Sequence, residues 1–284
     1  MVYAEVHSLD IAMEISKYET VSLRQIKKWE EEKHEGFHKK VLDATSGPVD
    51  YLIKKIRPEK LKKIELTVEK TVENLLSAST YTVNAEELIK RAHAYGVVIK
   101  DLSELKTCNL ELLDDCNRKH INFHEIAGAI QGAVAGLGGA LTATADLTSL
   151  LVQDFHMIQE IAFCYGYNPN DVMEKQIILR IIEIGIGSSD IKFKALKEIE
   201  ALQEISDKTS RQETKKGVAV VGSNALEEYI EHLTTALIVR LVPRVLPIVS
   251  MAVSAHSNHE IIEHSGNAAF MVYRKRFIER KKDI

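Results

Sequence analysis

Two groups of residues in this sequence carry side chains suited to binding metal or moving protons. Cys116, His120 and His124 recur every four residues and Glu125 follows, so on a continuous helix all three face one way. Two histidines one helical turn apart are half of a zinc site. The glutamate directly after the second histidine does not make the H-E-x-x-H arrangement, so metalloprotease chemistry does not follow. Downstream, His256, His259, Glu260, Glu263 and His264 repeat ligand types at three- and four-residue spacing. If the two groups met each other and Asp154 or His156, they would form a carboxylate–histidine site inside a helical bundle. The chemistry implied is metal-dependent hydrolysis with a divalent ion such as zinc, held by His120, His124, His259 and His264. The plainer reading is polar helix faces that meet solvent or acids and hold no cofactor.

Asp146 and Asp154 flank an apolar segment. A catalytic carboxylate pair is one use for them. The simpler one has Asp146 capping the helix that follows, worth about 1 kcal/mol. Asp154 then faces the polar side or pairs with a cation such as Arg180. The sequence contains no nucleotide-binding loop, serine elbow or cysteine–histidine signature. Gly136–Gly139 lacks the lysine and the preceding strand of a phosphate loop.

The stretch that must position these residues runs from Glu125 to Asp154. It is uncharged from Ile126 to Ala145, and Gly128, Gly132 and Gly136 lie one helical turn apart, with Gly138–Gly139 beyond. Each glycine weakens a helix by about 1 kcal/mol relative to alanine, and the compensation is close backbone approach. Gly128, Gly132, Gly136 and Gly139 are therefore expected to form a packing strip on a glycine-rich central helix. Its length would also cross a bilayer, but alanine, glycine and threonine dominate where lipid favours leucine, isoleucine and phenylalanine.

Amphipathic spacing predicts helices over most of the chain. They are Val21–Val41, a short helix after Pro48, Glu59–Leu76, Ala85–Tyr95 capped by Asn84, Leu110–Phe123, Leu147–Tyr165 capped by Thr144 or Asp146, Val172–Ile186, Ile191–Ile205 and His259–Lys282. Gly166 through Asp171 reads as a stop, a turn and a restart. Asp207–Gly217 reads as a surface loop, and Val218–Val221 is the only β-like run. Leu233–Ala255 is apolar but carries Arg240 and Arg244, and Pro243 and Pro247 split it into a helical hairpin. An arginine deep in hydrocarbon costs at least about 2.5–3.5 kcal/mol, so this hairpin is either packed inside the protein or dips into one leaflet with its arginines at the headgroups. Lys54, Lys55, Arg57 and Lys60 in one cluster, and Arg274 and Arg276 in another, are candidate lipid contacts alongside Arg240 and Arg244.

The expected fold is all-α: an N-terminal arm over residues 1–20 and a single helical domain over 21–284. Of 284 residues 45% are hydrophobic, enough for a substantial core. A net charge of -4 without a basic module excludes general nucleic-acid binding. Three cysteines without framework spacing point to a reducing compartment, and the acidic N-terminus reads as no export signal. The expected location is the cytoplasm, at the membrane's cytoplasmic face.

Three pieces of the chain resemble the EcsC-like protein family of bacteria. The glycine run Gly128–Gly139 leads to Asp146 and an apolar helix. Ile161–Ala162–Phe163–Cys164–Tyr165–Gly166 matches the family's I-A-x-x-Y-G pattern, with Asn168–Pro169 after it. Pro247, Asn258, Ala268, Ala269 and Arg274 match its last segment, although Ser250, Ala252 and Ser254 stand where glycines are expected. The resemblance covers roughly residues 20 to 280. It implies a membrane-associated accessory or regulatory protein linked to an ABC transporter or to secretion, with no assigned reaction. The expected partners are membrane lipids or a membrane protein complex, with homo-oligomerisation open. A soluble scaffold that binds a partner protein is the remaining class.

Overall fold

The computed structural model describes residues 15–33, 58–77, 85–94, 96–119, 121–122, 143–211, 229–231, 233–235, 237 and 251–282. Helices are the only regular secondary structure among them, and they form a multi-helix bundle. In chain order these are α1 (Lys17–Glu31), α2 (Pro58–Ser77), α3 (Ala85–Ala94), the short α4 (Leu102–Leu105), α5 (residues 110–119), α6 (Ala143–Cys164), α7 (Val172–Ile186), α8 (Ser189–Arg211) and α9 (Met251–Lys282).

Helix α7 sits at the centre because its sequence leaves it no solvent face. Ile177, Ile178, Leu179, Ile181, Ile182, Ile184 and Ile186 are all buried. A helix apolar around its circumference needs cover on every side, and α2, α6, α8 and α9 all pack against it, α9 most extensively. Helix α9 also packs on α1 and α6. Gly185 sets the spacing of α7 and α9, since a Cβ there would lie 1.9 Å from Ser265 Oγ and 2.7 Å from Ser265 Cα. A rotamer change cannot move a Cα, so this contact requires glycine in a closely packed interior. The expected packing strip of Gly128, Gly132, Gly136 and Gly139 lies outside the described residues.

Local chemistry explains where the helices stop. Ser16 and Glu19 form a reciprocal capping box: Glu19 N–H donates to Ser16 Oγ at 3.1 Å, and Ser16 N–H to Glu19 Oε2 at 2.8 Å. At the other end of α1, Lys192 of α8 donates to the Trp29 carbonyl and, at 3.1 Å, to that of Glu32. A cation on the last carbonyls is a favoured terminator, and α1 ends at Glu31 rather than at the predicted Val41. It begins at Lys17, four residues before the predicted Val21. Helices α3 and α6 close on left-handed Gly96 (φ +90°) and Gly166 (φ +77°). Behind them, Val97 N–H donates to Ala92 O at 2.9 Å and Tyr167 N–H to Ala162 O at 3.0 Å.

Three other boundaries differ from expectation. Helix α6 starts at Ala143, so Thr144 and Asp146 lie within the helix and neither caps it. Helix α8 continues to Arg211, into the stretch predicted as a loop from Asp207. Helix α9 takes in Met251–Ala255, predicted as the end of the apolar hairpin. Of the hairpin, Leu233, Thr234 and Leu237 are buried, while Arg240 and Arg244 lie outside the described residues, as does Val218–Val221. Among the described residues no helix is long and apolar enough to cross a membrane.

Candidate functional site

The most concentrated polar chemistry in the core is a knot around Asp114. On α5, Leu110, Leu113, Asp114 and Asn117 share one buried face, which places a carboxylate in an apolar stripe. Asp114 is 0% exposed, and its charge is met from three directions. Tyr165, in the turn after α6, donates its hydroxyl to Oδ1 at 2.7 Å. Tyr18 of α1 donates to Oδ2 at 2.8 Å, and Arg274 Nε of α9 lies 2.7 Å from the same oxygen. Arg274 Nη1 in turn donates to Gln25 Oε1 at 2.7 Å, and its guanidinium carbon lies 5.1 Å from the Phe270 ring centroid.

Electrostatics fix the roles within this knot. Burial pushes the Asp114 carboxyl above its usual range, against the opposing pull of Tyr165, Arg274 and Tyr18. The Tyr165 phenol is held well above its ordinary value, first by burial and then by the Asp114 charge. Tyr165 therefore keeps its hydroxyl proton on the bond to Asp114. The knot joins α1, α5, α9 and the turn after α6, and it positions those elements.

Four other cations on the last turns of α9 are also occupied. Arg276 forms a two-pronged pair with Glu174 of α7, at 2.6 and 3.0 Å. Burial works against its charge, but Glu174 and the phenols of Tyr167 and Tyr273 outweigh it, and its pKa rises. Lys275 bridges Glu30 and Glu200, each at 2.9 Å, and Lys281 meets Glu19 at 2.7 Å. Arg280 donates to the Tyr165 carbonyl at 3.0 Å.

Above the knot, an open cleft of about 550 Å³ runs between α1, α5 and α9. Its long axis is defined by antiparallel pairing. Asp114 meets Arg274, Arg118 stacks 5.5 Å from the Phe270 ring, and a Cβ on Gly266 would meet Ile121 at 3.0 Å. Helix α1 runs the same way, with Glu19 on Lys281 and Gln25 on Arg274. By the same register Arg118 and Lys28 lie level with Phe270 and Met271, about one helical turn from Glu32, while Arg274 and Glu263 mark the two ends of the cleft. Ile121, Phe270 and Met271 lie between them.

The residues expected to act at a site fare differently. Arg274 and Arg276 are 2% and 5% exposed, so neither reaches a lipid headgroup, because their partners Asp114 and Glu174 hold them inside. Lys60 is exposed on α2. Lys54, Lys55, Arg57, His120 and His124 lie outside the described residues. Cys116 is buried with its sulfur 3.7 Å from that of Cys164, so this end of the predicted polar face belongs to the core. Asp154 is also fully buried, not on a polar side. His259 and Glu263 stand one turn apart on α9, Nδ1 to Oε2 at 3.7 Å, and His264 is partly exposed there. No group of three or more His, Cys, Asp or Glu placed to hold a metal occurs among the described residues. Of the knot residues, Asp114, Tyr18 and Gln25 carry no motif in the sequence, and Tyr165 enters only through the I-A-x-x-Y-G pattern. The available signal was an aspartate at a core position of α5.

The family model of the EcsC protein family matches residues 21–278. The chain is similar to the uncharacterized protein YdbA of Bacillus subtilis (strain 168), with 24% identity over 265 residues, 92% of this chain and 93% of the relative. No solved structure matches it.

Proposed function

The chain belongs to the EcsC protein family, and on that footing we propose that it is a non-catalytic accessory protein that docks on the anionic, cytoplasmic face of a membrane, beside a membrane protein complex. One observation carries this reading. On α2, Lys60, Lys62 and Lys63 are exposed around Leu66, which is itself 43% exposed. They continue the basic run of Lys54, Lys55 and Arg57. A lysine near an anionic surface contributes about 1 kcal/mol, lost within a Debye length, and an exposed leucine among lysines is suited to the headgroup boundary. The absence of a reaction is part of the proposal: in it the knot of Asp114, Tyr165 and Arg274 serves to hold helices together.

The test is cofloatation of the full chain with vesicles of phosphatidylcholine and phosphatidylglycerol. Flotation at low salt that disappears when Lys60, Lys62 and Lys63 are replaced by glutamate supports the proposal. Flotation that persists in high salt would move the contact to apolar insertion by Leu233–Ala255. Failure to float with anionic vesicles at any salt would refute membrane docking.

A further inference from the structure

Two buried thiols meet where α5 passes the end of α6, and we infer that Cys116 and Cys164 form a redox modification site, a pair that closes to a disulfide under oxidising conditions. This does not rest on membrane docking. Both residues carry thiols and are 2% and 3% exposed. Their sulfurs lie 3.7 Å apart, in S–H···S contact. A disulfide bond is about 2.05 Å long, so the sulfurs need to close by about 1.7 Å. The backbones beside them are already held together. Tyr165, next after Cys164, donates to Asp114, two residues before Cys116, at 2.7 Å. Cys108 is engaged elsewhere: it is partly exposed, and its thiol donates to the Glu104 carbonyl at 3.4 Å.

The reaction balances with hydrogen peroxide, an oxidant small enough to enter the core during a brief local opening. The Cys116 thiolate attacks one peroxide oxygen, the O–O bond breaks, and a sulfenic acid forms. The departing hydroxide takes up the Cys116 proton as water. The Cys164 sulfur then attacks the sulfenic sulfur, the S–O bond breaks, and the Cys164 proton leaves with hydroxide as a second water. The two thiols together lose two electrons, which reduce one peroxide. Cys164 suits the second step. Its thiol is pushed well up by the hydrogen bond to Cys116, then by burial and by the Glu160 charge, so it keeps its proton while Cys116 is oxidised. Burial also makes the pair slow to react while the fold is closed, and oxidation follows opening of the α5–α6 junction. In a reducing compartment the thiols are the resting state and the disulfide is transient. The disulfide adds a tether. Cys116 and Cys164 lie 48 residues apart and bracket the run Gly128–Gly139 in sequence, so a bond between them closes that stretch into a loop.

The experiment treats the folded full chain with hydrogen peroxide at neutral and mildly alkaline pH. Remaining thiols are then blocked in urea, and disulfides are mapped by mass spectrometry after trypsin. Cys108 and Cys116 share one tryptic peptide, residues 107–118, so Cys108→Ala is run beside the wild type. In both, a Cys116–Cys164 link that dithiothreitol reverses is expected, and it forms faster as pH rises because the thiolate is the nucleophile. Closing a loop of this length should raise the melting temperature of the oxidised form by at least about 5 °C. Cys164→Ala is expected to abolish both the link and the shift. Circular dichroism checks its fold, and if it does not fold the Cys108→Ala map alone decides. Thiols that stay unmodified in the folded chain, or sulfinic acid at Cys116 or Cys164 without the link, overturn the proposal. So does a link that forms only in urea, a link to Cys108 instead, or an oxidised form that melts with the reduced one.

Discussion

Two basic stretches of this chain look alike as text, Lys54–Lys63 and Arg274–Lys282, yet the fold treats their described residues in opposite ways. On α2, Lys60, Lys62 and Lys63 point to solvent. On α9, Arg274 and Arg276 are inside and paired with Asp114 and Glu174, while Lys275 and Lys281 reach Glu30 and Glu19. The difference lies in what surrounds each helix. One face of α2 packs on α6 and α7, and the opposite face is left to water. The last turns of α9 run between α1 and α7, so their cations meet carboxylates presented by neighbouring helices. A run of lysines and arginines therefore says little about exposure until the neighbours are known.

The sharpest way to break this contrast is to remove a buried cation. Arg276→Ala leaves Glu174 buried without its partner, and a loss of about 3–5 kcal/mol is expected in urea unfolding. The paired change Arg276→Met with Glu174→Leu should recover most of that loss, because an apolar pair of similar volume carries no desolvation penalty. If Arg276→Ala unfolds like the wild type, the arginine is not held inside and the contrast collapses.

A smaller effect is expected at Glu19, where the strap from α9 meets the cap of α1. Burial alone would raise the Glu19 pKa, but Lys281 and the Ser16 N–H outweigh it and hold it below its ordinary value near 4.5. The ionised form is thus favoured in the folded state. Its contribution is complete above the unfolded pKa and is lost as pH falls through the folded one. Glu19→Gln keeps the capping-box geometry and removes the charge. It should cost about 1.5–3 kcal/mol at neutral pH and flatten the acid limb of a stability–pH curve. An acid limb unchanged in the variant would show that Lys281 does not hold Glu19 in its charged form.

The smallest effect belongs to the exposed stretch. Replacing Lys60, Lys62 and Lys63 one at a time by glutamate should shift stability by no more than about 0.5 kcal/mol each, as thermal melts would show. A large destabilisation from any of them would mean that α2 spends its lysines internally, as α9 does.

Much of the architecture was readable from spacing. Val172–Ile186 appears with the limits its pattern predicts, and α2 differs from its expected span by one residue at each end. Gly96 and Gly166 end helices as glycines in the left-handed region do. The site was far less readable. A carboxylate among leucines, as Asp114 is, announces burial only if its partners are known. Those partners, Tyr18, Tyr165 and Arg274, lie 96, 51 and 160 residues away in sequence. The spacing of Cys116 to His120 and His124 is visible in the sequence and marks it as polar, whereas its packing against Cys164 is a tertiary contact.

What the sequence determined by itself was local: a helical chain, the apolar circumference of α7, and the turn chemistry around Gly166 to Asp171. These follow from propensity, periodicity and capping, which act within a few residues. Only the tertiary structure decided which charges are spent inside and which face outward. It also decided that α1 and α5 run antiparallel to α9, which brings Tyr18 and Asp114 to Arg274. A charge's environment is set by the groups within a few ångströms, and in a helical bundle those groups come from other helices.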